Sequence, residues 1–180
     1  NKDKQEALNS AIYAGHIEST QVLINSGLSK DQLQQGLKCS VTEGKDRLIP
    51  LFLESGVVDS DRGAFCEAVR KNNTDLMNLL LSTDGVVSED VYIEGLKVAA
   101  REGVINSLEF LFARSESRGG INDQVYADVL KSAANGGQIP ALEFLFALSG
   151  RNVDDTEYSS VIRSAVCCGD NATIEHLLTR

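Results

Sequence analysis

GLKVAAREGVINSLEFLF, residues 95–112, carries the pattern that decides the fold. Leu96, Ala99, Ala100 and Gly103 follow an i, i+3, i+4, i+7 rhythm, one face of a helix. Leu108, Leu111 and Phe112 then give a second face of the same kind. Gly103 between them suits the C-terminal stop of the first helix, because glycine enters the left-handed region without steric cost. The stretch therefore predicts a helix, a tight turn and a second helix.

The same frame recurs along the chain. Anchors equivalent to Gly103 stand at Gly15, Gly44, Asn72, Gly137 and Gly169, spaced by 29, 28, 31, 34 and 32 residues. Seven residues before them come Leu8, Leu37, Phe65, Leu96, Leu130 and Ile162. Four and three residues before them come Ala11-Ile12, Ser40-Val41, Ala68-Val69, Ala99-Ala100, Ala133-Ala134 and Ala165-Val166. Eight and nine residues after them come Leu23-Ile24, Phe52-Leu53, Leu80-Leu81, Leu111-Phe112, Leu145-Phe146 and Leu177-Leu178. Asn72 can serve as an anchor because Asn tolerates the left-handed region better than other non-glycine residues. The expectation is one domain over 1–180 of six helix–turn–helix units, at about 3–28, 31–58, 61–87, 90–118, 123–152 and 155–180. No such unit can bury its own apolar face, so an all-α fold of stacked antiparallel helix pairs, an α/α solenoid, is expected.

The connectors supply acidic candidates for helix N-caps: Asp3, Asp31, Asp61, Asp90, Asp123 and Asp155. Residues 115–120 form the longest connector and are the expected mobile loop.

A repeat with A-A-x-x-G followed by a φ-L-L triplet resembles the ankyrin repeat. Ala99-Ala100-Arg101-Glu102-Gly103 with Phe110-Leu111-Phe112 is the best match, and Gly15-His16-Ile17-Glu18 is similar to the family's G-H-x-E turn. The family's T-P-L-H opening is absent, reading Glu94-Gly95-Leu96-Lys97 and Asp128-Val129-Leu130-Lys131, and its G-A-D-x-N finger shrinks to Ser26-Gly27 and Ser55-Gly56. The resemblance, to a divergent ankyrin-repeat protein, covers nearly the whole chain. It implies a noncatalytic protein–protein interaction scaffold. Arrays of this kind also recruit substrates for larger enzymes, such as bacterial effectors and signalling proteins, and that is the alternative.

Composition narrows the partners. Acidic residues outnumber basic ones 26 to 17, a formal charge of −9, which disfavours nonspecific binding to nucleic acid or anionic lipid. No apolar run approaches the roughly 20 residues that span a bilayer, and the mean hydropathy is −0.12. Residues Asn1–Glu6 lack an initiating Met and an apolar signal core, and Leu177–Arg180 stops inside an apolar helical pattern, so a piece of a longer protein is expected. Cys39, Cys66, Cys167 and Cys168 lack the paired spacing of a zinc site, and His16 and His176 lie far apart. Reduced thiols suit a cytoplasmic or nuclear setting, or a host cytosol if the parent is a secreted effector. Cys167-Cys168 is also weighed as a redox pair, although adjacent helical side chains diverge by about 100°. No P-loop, nucleophile elbow or H-E-x-x-H motif occurs, and neither catalysis nor a cofactor is expected.

One feature of the charge is not random. Six positions before the anchor stand Asn9, Lys38, Cys66, Lys97, Lys131 and Arg163; Arg70 and Arg101 stand two before it and Lys71 one before it. Helical geometry turns the position two before the anchor outward and places those six and one before it on the flanks of that outward face, which lines the groove of a solenoid. Seven of the 17 basic residues lie there. With Tyr13 as an aromatic anchor, Lys38, Arg70, Lys71, Lys97, Arg101, Lys131 and Arg163 are the candidate contacts for a partner protein or an acidic or phosphorylated peptide segment. The competing reading is a solvated face in which they pair with Glu43, Glu67, Glu94 or Glu102. A small anion ranks below a peptide, because such grooves are shallow. A monomer is expected.

Overall fold

A computed structural model describes residues 2–59, 63–148 and 153–180, without the side chain of Arg118. Among the described residues the protein is all-helical, with twelve α-helices, two short 3-10 turns and no strand. The chain forms two compact units, residues 1–92 and 93–180.

The first unit holds α1 (Lys2–Ala14), α2 (Ile17–Asn25), α3 (Lys30–Thr42), α4 (Ile49–Glu54), α5 (Ala64–Arg70), α6 (Thr74–Ser82) and the start of α7 (Glu89–Glu102). A 3-10 turn at Asp46–Leu48 precedes α4. Helices α1 and α2 pack together, as do α3 and α4, and α5 and α6; α3 also touches α1 on one side and α5 on the other. The core is made by the repeat columns: Leu8, Ile12, Leu37, Phe52, Phe65, Val69 and Leu80 are completely buried. Phe65 stacks on Tyr92 with ring centroids 6.3 Å apart.

The second unit holds the rest of α7, then α8 (Ile105–Ser115), α9 (Asp123–Asn135), α10 (Ile139–Ala147), α11 (Asp155–Cys168) and α12 (Asn171–Leu178). Here α9 packs on α10 and α11, α11 on α12, and α8 on α10. Leu96, Leu108, Leu111, Leu130, Leu142 and Leu145 are completely buried. Two tyrosines tie first helices to second ones: the Tyr126 hydroxyl donates to the Leu145 carbonyl and the Tyr158 hydroxyl to the Leu177 carbonyl. Both stand eleven residues before their anchors and both acceptors eight after, so one tie occurs in two repeats.

All six anchors adopt positive φ, from 54° at Asn72 to 72° at Gly15. At five of them the following N–H bonds back to the carbonyl four before the anchor: His16 to Ala11, Lys45 to Ser40, Asn73 to Ala68, Val104 to Ala99 and Gln138 to Ala133. This Schellman-type closure satisfies carbonyls that a helix end would otherwise leave bare.

The helix starts differ from expectation. Asp31 and Asp90 lie second in their helices and Asp123 and Asp155 first, all inside the first turn. The residues just outside do the capping: Ser29 accepts from the N–H of Gln32, Asn122 from Val125 and Asp154 from Glu157. A cap needs extended backbone geometry, which these residues have, while the neighbouring Asp favours the positive helix end. Asp61 lies outside the described residues. Helix α5 starts only at Ala64, because the buried Asp59 carboxylate accepts from the N–H groups of Gly63, Ala64 and Phe65. The connector 115–120 is not an irregular loop either: Glu116–Arg118 form a 3-10 turn, and the Gly120 N–H bonds to the Ser115 carbonyl.

Candidate functional site

In the first unit, α1 and α3 open a groove of about 640 Å³ on the side away from their partner helices. Helix α1 contributes Asn9 and Tyr13. Helix α3 and its last turn contribute Asp31, Gln34, Gln35, Lys38, Cys39, Thr42 and Glu43; the connector into α5 adds Asp59 and Gly63. The α3 residues recur with helical spacing while Leu37, Ser40 and Val41 between them are buried, so the pattern that builds the core leaves this face open.

The lining is polar, with one exposed aromatic. Tyr13 is 57% exposed, and its hydroxyl hydrogen-bonds the Cys39 sulfur. The neighbouring Cys39 and Glu43, each able to carry negative charge, hold the Tyr13 hydroxyl above its ordinary pKa. Partial burial, with Glu43 adding to it, pushes the Cys39 thiol up as well. Both groups are therefore neutral near pH 7, and the thiol is a weak nucleophile. Asp59 is already committed to capping α5. Lys38 is exposed, and its aliphatic stem runs against Gly63, so close that a methyl group there would lie 2.8 Å from the Lys38 Cδ.

The eight residues expected to bind a partner fall into two sets. In the first unit, Tyr13 and Lys38 share the groove. Arg70 is exposed and lies 3.5 Å from Glu67, one turn back on α5. Lys71 reaches across to donate its Nζ to the Thr42 carbonyl at the end of α3. In the second unit, Lys97 is half-buried on α7 and Arg101 is exposed, 4.0 Å from Glu102. Lys131 is half-buried and 3.2 Å from Asp128, and Arg163 is exposed on α11. Three of the seven cations thus have a carboxylate within their own helix, and a fourth serves a helix end. Cys66, in the same column, is buried.

Reading the sequence does not single out Gln34 or Gln35, and places Asn9 only in the column and Glu43 only as a pairing partner for the cations. Their signal was the same spacing that selected Lys38, which a search restricted to basic residues does not register. Cys167 and Cys168 are both exposed free thiols; the Cys168 sulfur meets the Asn135 carbonyl. Among the described residues, no three His, Cys, Asp or Glu side chains gather as a metal site would require. No helix of the described residues is long and apolar enough to cross a membrane.

No protein-family model matches the chain, and no curated protein matches it.

Proposed function

We propose that this protein is a noncatalytic interaction module, built as an ankyrin-like α/α solenoid, that holds a segment of a partner protein in the α1–α3 groove. The observation that carries this reading is the lining itself. An exposed tyrosine, an exposed lysine and the exposed Gln35 amide share one open groove on the first helices, beside Asn9, which accepts from the Gln5 amide, and Gln34, which donates to the Val58 carbonyl. Amides can hydrogen-bond a peptide backbone, Tyr13 gives a rigid contact surface with little rotamer entropy to lose, and Lys38 can pair with an acidic or phosphorylated side chain. The repeated packing of first helix on first helix, α1 on α3, α3 on α5 and α9 on α11, supports the solenoid part of the reading. Four free cysteines fit a reducing cytosolic or nuclear compartment.

The test is differential capture from the source cell with four forms of the chain: wild type, Tyr13→Ala, Lys38→Glu and Val22→Glu. Val22 is 68% exposed on α2, outside the groove, and serves as control. A protein retained by wild type and the Val22 variant but lost from both groove variants is the expected result. The same proteins retained by all four forms would overturn the assignment.

A further inference from the structure

The last repeat leaves open a face that is covered in the other five. Val166, three before its anchor, is 55% exposed, whereas its counterparts Ile12, Val41, Val69, Ala100 and Ala134 are at most 1% exposed. Ile162 lies one turn earlier on the same side of α11 and is half-buried, while Leu8, Leu37, Phe65, Leu96 and Leu130 in its column are completely buried. Leu178 on α12, nine after the anchor, is 67% exposed, and its counterparts are buried or half-buried. Where α1 meets α3, α3 meets α5 and α9 meets α11, the following repeat supplies the cover.

Two contacts within the chain show what such a face takes. Leu8 lies against Gly36, eight before the next anchor, where an added Cβ would come 3.0 Å from the Leu8 Cδ2 and 2.5 Å from the Phe52 ring. Phe112, nine after its anchor, meets Phe144, seven after the next, edge to face with centroids 6.1 Å apart. A cover for the last repeat therefore needs a small residue opposite Ile162 and an apolar one opposite Leu178. The first repeat carries both at the matching positions, and both are open. Ala7 is exposed where Gly36, Ala64, Gly95, Val129 and Val161 are buried, and Val22 is largely exposed. We infer that a second copy of this chain stacks its α1–α2 face on the α11–α12 face of the first, continuing the repeat packing from one molecule into the next in place of the monomer expected from the sequence. The two faces differ, so the contact is heterologous. None of Ala7, Val22, Ile162, Val166 and Leu178 lines the groove, so this contact and the groove reading stand or fall separately.

Analytical ultracentrifugation of the 180-residue chain over a wide concentration range tests it. The average mass of the wild type should rise above 19.4 kDa with concentration. Leu178→Glu and Val22→Glu, with helicity intact by circular dichroism, should each stay at the monomer mass, and Val166→Glu should repeat the Leu178→Glu result. An equimolar mixture of the Leu178→Glu and Val22→Glu chains should form dimers and nothing larger, because each keeps the face that the other has lost. A wild type that stays at the monomer mass throughout would overturn the inference. So would association that survives Val22→Glu but not Leu178→Glu, since like faces would then be pairing.

Discussion

Asn72 is the one non-glycine residue at positive φ among those described, at 54°. It holds the turn between α5 and α6 in the position that glycine holds in the other five repeats. Alanine there would have to enter the left-handed region unaided, so Asn72→Ala should cost about 1–2 kcal/mol of stability, read by urea denaturation. A neutral result would mean that the turn relaxes to negative φ. The cysteines give a second residue-scale expectation. Cys167 and Cys168 are exposed, Cys39 is half-buried with its thiol pKa raised, and Cys66 is buried. Maleimide labelling near pH 7 followed by mass spectrometry should therefore modify Cys167 and Cys168 first, Cys39 more slowly, and Cys66 only on unfolding.

At the scale of elements, stops were legible in the sequence and starts were not. A Schellman stop demands positive φ, which limits the residue type to Gly or Asn and leaves a visible column at Gly15, Gly44, Asn72, Gly103, Gly137 and Gly169. A start can be capped by Ser29, Asn122 or Asp154 with an Asp following, so neighbouring polar residues compete for the role and only backbone geometry separates them. The start of α5 depends on a buried carboxylate, Asp59, that no periodicity marks. Where Asp154 caps α11, its hydrogen bonds with the Thr156 side chain and the Glu157 N–H lower its pKa. A lowered native pKa means stability present above the unfolded value and lost as pH falls through the native one. Asp154→Ala should consequently be less stable than wild type at neutral pH, with the gap in thermal midpoint closing in acid. Helix spacing makes its own demand at Gly136, where an added Cβ would lie 1.9 Å from the Arg101 carbonyl oxygen. Backbone cannot step aside as a side chain can, so Gly136→Ala should cost about 2 kcal/mol or more, visible as a lowered midpoint in thermal denaturation.

At the scale of the whole molecule, the apolar columns announced most of the core because burial follows spacing, but in the last repeat Val166 and Leu178 of those columns are exposed. The site was legible only in part. Tyr13 and Lys38 line one groove, whereas Arg70, Lys71, Lys97, Arg101, Lys131 and Arg163 are outside its lining. Whether a cation is available depends on which carboxylate its side chain reaches, and Arg70 lies near Glu67 while Lys131 lies near Asp128. The chain's −9 charge likewise says little about a groove in which Lys38 and Glu43 stand five residues apart. The central claim is that this face of α1 and α3 holds a partner's segment. The most direct measurement is the affinity of a partner or peptide selected on the wild-type chain for the Lys38→Glu form, taken by fluorescence anisotropy alongside the Val22→Glu control. A loss of about tenfold or more with Lys38→Glu alone, roughly 1.4 kcal/mol, is predicted. Equal affinity for wild type and both variants, with helicity intact in each, would contradict it.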